Sequence, residues 1–465
     1  MIHLMTKIPL PTAPRALLAA FACLSLLIPA TALRGSEPAP AAPGTESRWF
    51  KGNLHTHSLW SDGDDYPEMV AEWYKRAGYQ FLAISDHNRL QQGERWFTLR
   101  PPTVSSGETV QRGGGEVLEK YLRRFGPDWV KLRERDGRKE VRLQPLAEYR
   151  SLLEEPGRFL MIPSEEITSA WKRPKTDVAP EMGGPVHINL INPRDLVTPA
   201  EGDNALTVMQ RTIDAALAQR VKTGQPMFPH INHPNFVWGI TAEELMQLHG
   251  EQFFEVYNGH ASVRNTGDAT HLGTEEMWDA ILTRRLAELH LPPMFGLGVD
   301  DSHHYHSFLI GRSNPGRGWI MVRARHLTAE SLIAAMEAGD FYASSGVTLT
   351  DVRRNGRELA LEIQSEPGVT YVTKFIGTRK NYDPTSQIIP PPASEEGAKT
   401  LPHRRYSKDV GTVLAEVGGA RVSYVLEGDE LYVRAKVISS KAKPNASVVG
   451  EVECAWTQPL VNTPK

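Results

Sequence analysis

Short apolar runs recur along the first three quarters of this chain, and segments with helical spacing lie between them. This alternation is typical of strands joined by crossover helices, which build a mainly parallel sheet covered by helices. Residues 69–77, between the first two runs, have apolar side chains at helical spacing, and Gly78 is placed to end that helix in a left-handed conformation. The runs that we predict as strands are 49–54, 81–85, 159–163, 186–191, 227–232, 253–257, 294–299 and, as a further candidate, 319–322.

Two more helices are predicted after strands. Thr241 and Glu244 resemble a capping box, and Thr274 is placed to cap a helix over 275–289. The region 91–158 is long for a single crossover and highly charged, so we predict an insertion that covers one face, with helices near 116–125 and 145–154. After Gly346 the pattern changes to alternating strands without long helices, as in 370–375, 420–426 and 431–437, which predicts a small β-rich domain.

The N-terminus has the layout of a secretory signal. Lys7 and Arg15 precede an apolar run over 16–28, and Ala30-Thr31-Ala32 forms a small-residue stop. We therefore expect a periplasmic or secreted protein. A membrane anchor is less favoured because the run is short of the ~20 residues that span a bilayer. A lipoprotein would need Cys23 as its lipidated residue, in a poorly matching sequence context.

Composition excludes two further possibilities. The formal net charge is -3 and no basic tract is present, which argues against nucleic acid as a partner, because such binding draws on concentrated Lys and Arg. The chain has 2 cysteines, and removal of the signal would leave Cys454 alone, so no intramolecular disulfide is expected. Core packing or bound metal must then stabilise the fold.

Nearly every predicted strand runs into side chains that bind metals. In a parallel barrel the carboxyl ends of the strands open on one face, so these residues converge although they are distant in sequence. If these residues had no common role, they would not be expected at the same end of each strand. Neutral imidazole together with carboxylate suits Zn, Mn or Fe, and the ligand types leave open which of the three binds. The residues at these ends are His55, His57, Asp86, His87, Glu165, Glu166, His187, His230, His233, Asp300, Asp301 and His303.

These motifs resemble the PHP (polymerase and histidinol phosphatase) metallohydrolases over about 52–346, and the export signal and β-rich tail resemble the carbaryl-hydrolase-like branch. The resemblance rests on His55-Thr56-His57-Ser58 with Ser61-Asp62-Gly63, on Ser85-Asp86-His87, on the run 162–168, on Asn232-His233-Pro234 and on Asp301-Ser302-His303. It implies an α/β fold with a distorted (β/α)7 barrel. The domains would be a signal peptide over 1–32, a flexible lead-in over 33–47, the barrel over 48–346 with its insertion at 91–158, and the β-rich domain over 347–465.

The resemblance also implies two or three divalent metal ions, of Zn, Mn or Fe. Ser164 stands where family members usually have Gly, and Glu165 beside Glu166 leaves open which carboxylate bridges; we choose Glu166 because it directly precedes Ile167-Thr168. The implied ligands are His55, His57, Glu166 and Asp301 for one metal, Glu166, His187 and His233 for a second, and Asp62, His87 and His303 for a third.

Other polar residues near these motifs are candidates for direct work on a substrate. His230 and His304 are candidate catalytic groups, and a role as ordinary buried or surface histidines stays open for both. Asn258 and Arg312 are candidate substrate contacts. His306 could serve the substrate or lie in a surface loop, and Asp86 could orient a ligand.

The favoured function is an exported metal-dependent hydrolase, a phosphoesterase that uses a metal-bridging hydroxide on a small-molecule ester. The first alternative keeps the metals and changes the substrate to a carboxylic ester, carbamate or amide. A non-catalytic secreted binding module is the alternative of another class. An amidohydrolase-type (β/α)8 barrel shares His-x-His after the first strand but does not explain the 85–87 and 301–303 motifs together. No stable membrane insertion is expected after signal removal, and the oligomeric state stays open.

Overall fold

The computed structural model describes residues 46–101, 103–105, 108–110, 112–176, 181–390 and 401–462. The predicted signal peptide therefore lies outside the described residues, as does nearly all of the predicted lead-in. Within the described part of the chain, no helix has the length and apolar content needed to cross a bilayer.

Five of the seven helices of the described residues match predicted segments, whereas the helices Ala205–Thr223 and Ala329–Glu337 were not predicted. The Thr241 and Glu244 capping box is present, and Gly78 follows the first helix with a φ of 80°. The helix predicted over 275–289 changes to π-helical hydrogen bonding over its last turn, Arg285–Leu289. The helices of the described residues are α1 Pro67–Arg76, α2 Glu116–Phe125, α3 Leu146–Leu153, α4 Ala205–Thr223, α5 Ala242–Leu245, α6 Thr274–Arg284 and α7 Ala329–Glu337.

The strands of the first part of the chain include every predicted run, some of them shortened. They are β1 Arg48–Asn53, β2 Phe81–Leu82, β3 Arg95–Thr98, β4 Thr103–Ser105, β5 Glu108–Val110, β6 Leu132–Arg135, β7 Arg138–Leu143, β8 Leu160–Met161, β9 Ser164–Arg173, β10 Met182–Ile191, β11 Phe228–Ile231, β12 Phe253–Asn258, β13 Phe295–Val299, β14 Trp319–Ala324 and β15 Phe341–Ser344.

The last part of the chain is β-rich, as its alternating pattern predicts. Its strands are β16 Leu349–Asn355, β17 Glu358–Ile363, β18 Tyr371–Arg379, β19 Ser386–Ile389, β20 His403–Tyr406, β21 Thr412–Gly418, β22 Arg421–Val425, β23 Glu430–Ala442, β24 Val452–Thr457 and β25 Leu460–Val461.

Two sheets organise this mixed α/β structure. A ten-stranded sheet has the order β21-β18-β23-β24-β15-β14-β1-β2-β8, with β25 beside β23, and a five-stranded sheet has the order β13-β12-β11-β10-β9. Strand β10 is antiparallel to both β9 and β11, whereas the alternation of strands and helices predicts parallel neighbours. The sheets do not close into one continuous ladder. Isolated parallel bridges join Thr56 to Ser302 and His87 to Glu166.

The insertion predicted over 91–158 has its own small sheet, β3-β7-β6, and packs against the loop that follows β1. The ring of Tyr121, from α2, stacks on Tyr66 at a centroid distance of 3.9 Å. Trp60 and Val141 lie in the same buried cluster. Burial of each such side chain contributes about 1.5–3 kcal/mol to folding. The insertion is therefore attached to the part of the chain that follows His55 and His57.

The C-terminal strands continue the ten-stranded sheet that contains β1 and β14. Strand β24 pairs with β15, and the side-chain amide of Gln458 both donates to and accepts from the backbone of Gly296 in β13, at 2.9 Å each way. The predicted boundary at 346/347 thus falls between two segments that share one sheet, and the division into domains stays a prediction.

Candidate metal centre

One buried carboxylate, Glu166, lies at the centre of five imidazoles. Its position follows from the β9–β10 hairpin, in which Glu166 is opposite Asn189 and His187 is two residues further along the same face. The distances from a ring nitrogen to the nearer Glu166 oxygen are 3.5 Å for His55, 3.4 Å for His57, 2.7 Å for His87, 3.0 Å for His187 and 3.6 Å for His233.

Glu165 lies on the opposite face of β9, because side chains alternate along a strand. Its Oε1 accepts the backbone N–H of Val197 at 2.7 Å, and burial raises its pKa to about 8. Glu166 has the opposite shift: burial opposes its ionisation, but the surrounding imidazoles hold its pKa well below the usual range. The choice of Glu166 rather than Glu165 as the bridging carboxylate agrees with this placement.

Asp301, at the end of β13, is the second buried carboxylate of the cluster. One of its oxygens is 3.3 Å from His55 Nε2 and 3.2 Å from His57 Nε2, and the other is 3.7 Å from His233 Nε2. Its φ of 49° is left-handed, a conformation that Asp tolerates better than most residues. The backbone N–H of Asp301 donates to the His55 carbonyl at 2.9 Å, which holds the two strand ends together.

Three further ligand-type residues form a more open set. Asp62 Oδ1 is 3.3 Å from His303 Nε2 and 3.5 Å from His57 Nδ1, and its Oδ2 is 3.5 Å from His87 Nε2. The side chain of Asp62 is 48% exposed, against 26% for His87 and 14% for His303. We call Asp62, His87 and His303 the outer group. The inner group is His55, His57, Glu166, His187, His233 and Asp301.

The donor atoms of the inner group fit cations better than hydrogen bonds. His55 Nδ1 lies 2.6 Å from Glu255 Oε1, which places the proton of the neutral ring on Nδ1, so a bound cation would find the lone pair of His55 Nε2 beside Glu166 and Asp301. His55 Nε2 and His57 Nε2 are buried without a hydrogen-bond partner among the described residues. Ligands of a tetrahedral Zn²⁺ at its usual bond lengths lie about 3.3–3.4 Å apart. The separations of 3.2–3.5 Å between these nitrogens and the carboxylate oxygens match that spacing.

The donor sets differ in part from the three implied by the family resemblance. Asp62, His87 and His303 come together as implied, with His57 as a fourth member. His187 lies with His87 and Glu166, whereas His233 lies with His55 and Asp301. The atoms within each set are within 4.8 Å of one another, so His57 and His87 connect the inner and outer groups.

Asp86 orients the loop that follows β1. Its Oδ1 accepts from the backbone N–H of Ser58 at 2.9 Å and from Ser61 Oγ at 2.5 Å, and its Oδ2 accepts from Ser58 Oγ and from Gln91. The carboxylate of Asp86 is thereby fully used by protein donors. It supports the loop of Asp62, in line with the orienting role proposed from the sequence.

Glu255, on β12, is a buried carboxylate that the sequence analysis missed. It accepts from His55 Nδ1, from the backbone N–H of His233 at 2.8 Å and from Asn258 Nδ2 at 2.8 Å. Burial opposes its ionisation, but the charge of His55 and its hydrogen bond lower its pKa. A carboxylate that fixes the tautomer of a ligating imidazole raises its basicity and orients its ring. The sequence signal that could have identified Glu255 is its position as the single charged residue inside the apolar run 253–257.

Two predicted substrate or catalytic residues are buried beside the cluster. Asn258 Nδ2 bridges Glu255 and Asp301, and its Oδ1 accepts the backbone N–H of His260, so its amide orients carboxylates. His230 is 0% exposed, with its Nδ1 3.6 Å from Glu255 Oε1. Both of its ring nitrogens are buried without a hydrogen-bond partner among the described residues. The catalytic role of His230 and the substrate contact of Asn258 stay predictions.

The remaining candidates lie in the loop after His303. His304 is partly exposed, its Nδ1 accepts the backbone N–H of Ser313 at 3.1 Å, and its ring centroid is 6.5 Å from that of His303. Arg312 is half-buried in the same loop. His306 Nε2 is 3.4 Å from Asp65 Oδ2, so it pairs with a carboxylate outside both ligand groups. The roles of His304 and Arg312 stay predictions.

His260 is an additional imidazole beside the cluster. Its Nδ1 accepts the backbone N–H of Ser262 at 3.1 Å, so the proton of the neutral ring is on Nε2. Its ring centroid is 5.2 Å from that of His303 and 6.0 Å from that of Phe236. Burial lowers the pKa of His260 to about 3 despite the nearby Asp301 carboxylate. His260 follows β12 by two residues, the same signal that identified the other ligands, and the sequence analysis overlooked it.

Comparisons with known proteins give a limited picture. No protein-family model matches the chain. A stretch of 40 residues, 9% of the chain, is 48% identical to the DNA polymerase/3'-5' exonuclease PolX of Bacillus subtilis (strain 168), and it spans only 7% of that enzyme's length. The chain is also similar to a solved two-domain protein from Bacteroides vulgatus ATCC 8482, described as containing a predicted PHP-like metal-dependent phosphoesterase. That match covers 92% of this chain and 100% of the other at 14% identity, and its TM-score of 0.34 is too low to establish a shared fold.

Proposed function

We propose that this protein is a metal-dependent hydrolase of the PHP type that acts on a small-molecule phosphate ester. The proposal includes a distorted (β/α)7 barrel, two or three ions of Zn, Mn or Fe, membership of the carbaryl-hydrolase-like branch, and a periplasmic or secreted location. The observation that carries it is that the nitrogens His55 Nε2 and His57 Nε2 are buried without a hydrogen-bond partner among the described residues and face Glu166 and Asp301 at separations suited to shared cations. Nucleic acid is not a proposed partner.

The charge of the cluster supports cation binding. Glu166 and Asp301 both have pKa values held well below their usual ranges: burial opposes ionisation, but the imidazoles around each carboxylate outweigh it. Two fully buried carboxylates that stay ionised require compensating positive charge, since an isolated buried charge is costly. Protons on the imidazoles would supply that charge without metal, and divalent ions would replace them. Such ions would lower the pKa of a water molecule and neutralise charge on the phosphoryl oxygens.

The chain's own residues would position the substrate. The Nε2–H of His260 is a donor suited to an ester oxygen, because its other ring nitrogen is occupied by Ser262. The ring of Phe236 lies 5.1 Å from that of His233 and 6.0 Å from that of His187, so it forms an apolar wall beside two ligands. An apolar wall limits the access of water and strengthens the electrostatic interactions inside the site.

The test is a hydrolysis screen on the full chain after its metal content has been measured. Phosphate monoesters and diesters are compared with carboxylic and carbamate esters, using metal-depleted protein and protein reloaded with Zn²⁺, Mn²⁺ or Fe²⁺. We expect turnover of a phosphate ester only after reloading, and a decrease of kcat/KM in His260→Gln. Turnover of carboxylic or carbamate esters alone would move the substrate class to the first alternative. Metal binding without any turnover would favour a binding module, and absence of metal binding would overturn the proposal.

A further inference from the structure

Asp62 differs from the other ligand-type residues in how the chain holds it. It lies in the loop between β1 and α1 and in no strand, and its side chain is 48% exposed. Backbone hydrogen bonds restrain the loop: Ser61 N–H and Gly63 N–H donate to Ser58 O at 3.1 and 3.0 Å, Leu59 N–H donates to Asp65 O at 2.9 Å, and Asp64 N–H donates to His303 O at 2.9 Å. The two carbonyls adjacent to Asp62 in the chain, of Ser61 and Gly63, accept none of these backbone hydrogen bonds.

A single guanidinium satisfies both carbonyls. Arg112 Nη2 donates to Ser61 O at 2.9 Å and to Gly63 O at 3.2 Å, and its Nε donates to Gly63 O at 3.3 Å. The guanidinium therefore spans the residues on either side of Asp62. Arginine suits this geometry because its donors form a rigid planar fork, which the ammonium group of lysine does not offer.

Contacts from the loop after β1 and from the insertion hold Arg112 in place. Tyr66 Oη donates to the carbonyl of the next residue, Gly113, at 2.5 Å. Gly113 has a φ of 64°, and a Cβ there would be 2.8 Å from Leu59 Cδ1, so the segment lies directly on the loop of Asp62. The guanidinium of Arg112 is also 5.9 Å from the centroid of the Phe97 ring in β3. The position of Arg112 is thus fixed from both sides.

The hydrogen bonds of Arg112 go to carbonyls and leave the carboxylate of Asp62 to the imidazoles of the outer group. We propose that Arg112 is a positioning residue for metal binding, which fixes the Ser61–Gly63 loop so that Asp62 completes the outer group. The insertion then determines the affinity of the outermost ion, although it supplies no ligand itself. This inference rests on the proposed metal-dependent function.

The test compares Zn²⁺ binding by the full-length protein and three variants, Arg112→Gln, Asp62→Asn and the double variant, by calorimetric titration and elemental analysis. Residues that support a ligand typically change metal affinity about tenfold to a hundredfold. We expect Arg112→Gln to weaken one Zn²⁺ site by that factor and leave the others unchanged. Asp62→Asn should affect the same site, and adding Arg112→Gln to it should have little further effect. Arg112→Lys should be intermediate.

Arg133→Gln is the matched control, because Arg133 is also an arginine of the insertion but pairs with Glu140 at 2.6 Å and lies over Trp96. It should retain the Zn²⁺ affinities of the unchanged protein. Circular dichroism and thermal unfolding of each metal-depleted variant separate a folding defect from a site defect. Unchanged Zn²⁺ binding in Arg112→Gln, or effects of Arg112→Gln and Asp62→Asn that simply add, would overturn the inference. Failure of the proposed function is distinct, since the unchanged protein would then bind no Zn²⁺ or would bind it without turnover of a phosphate ester.

Discussion

The inner and outer groups show two ways of holding ligands on one scaffold. Inner ligands such as Glu166 and Asp301 lie on or at the ends of strands, with side chains at most 12% exposed, and buried residues such as Glu255 and Asn258 orient them. The outer group depends on loops, and its Asp62 is held through carbonyls by the insertion. Sheet geometry therefore positions the inner group, whereas a peripheral segment positions the Asp62 loop of the outer group. We expect the inner ions to bind more tightly.

The largest expected effect is at the centre of the inner group. Glu166→Gln removes the carboxylate shared by five imidazoles, so at least one ion should be lost and the nucleophile misplaced. We expect kcat/KM to decrease by about three powers of ten or more, since each ~1.4 kcal/mol of lost transition-state stabilisation is tenfold. The measurement is kcat/KM on the best substrate of the screen, with metal content measured on the same sample.

Glu165→Gln is the matched control for that change, because it alters the adjacent buried glutamate on the other face of β9. Its kcat/KM should stay within about tenfold of the unchanged protein, a loss of no more than ~1.4 kcal/mol. If Glu165→Gln lost activity and Glu166→Gln kept it, the assignment of the bridging carboxylate would be wrong by one residue.

A smaller effect is expected behind the inner group. Glu255→Gln keeps an acceptor for His55 but removes the negative charge and places an N–H near the backbone N–H of His233. We expect the inner Zn²⁺ affinity to fall about tenfold to a hundredfold, with Asp62-dependent binding unchanged. Glu251→Gln is the control: Glu251 is also buried, and it accepts from backbone amides away from the imidazoles. Equal losses of Zn²⁺ affinity in both variants would mean that general packing, and not His55, explains the effect.

The smallest expected effect tests whether burial raises the pKa of Glu165, in contrast to Glu166, whose pKa the imidazoles lower. The pKa of Glu165 is raised from 4.5 to about 8 by burial, so between those values the folded chain keeps a proton that the unfolded chain releases. The titration of Glu165 therefore makes the free energy of unfolding fall as pH rises between these two pKa values. Relative to the unchanged protein, Glu165→Gln should gain stability on the order of 1–3 kcal/mol between about pH 5 and pH 8. Thermal unfolding across that range measures it, and parallel pH profiles would contradict the assignment.

Much of the site was predictable because ligand residues follow strand ends, and strand ends are visible as apolar runs that stop. All nine residues implied as ligands come together, from His55 to His303. The strand β9 was missed because its sequence, SEEITSAWKR, is mostly polar and lacks an apolar run. Its antiparallel pairing with β10 was therefore also missed. Without β9, the sequence offered no way to see that Glu166 and Glu165 face opposite sides.

Residues that support ligands were the least predictable. Glu255 and Arg112 act through hydrogen bonds to residues 200 and about 50 positions away in sequence, and nothing local to either residue encodes those partners. Asn258 and His230 both follow the ligand pattern, but the amide of Asn258 donates to Glu255 and Asp301, and His230 is fully buried. The local sequence pattern identifies residues that reach the site. Only the tertiary contacts show which of these residues could bind a metal and which hold the others in place.

The order of synthesis gives the amide of Gln458 a biological consequence. During synthesis, Gly296 and soon afterwards Asp301 leave the ribosome well before Gln458. Gln458, whose side chain completes the hydrogen bonds of Gly296, is 162 residues further along the chain than Gly296. A chain interrupted near residue 346, by a premature stop or by proteolysis, would contain every proposed ligand yet leave β15 without β24. Its unpaired strand would be a template for association with other chains. Such a fragment is therefore expected to aggregate rather than to persist as a smaller metal-binding protein.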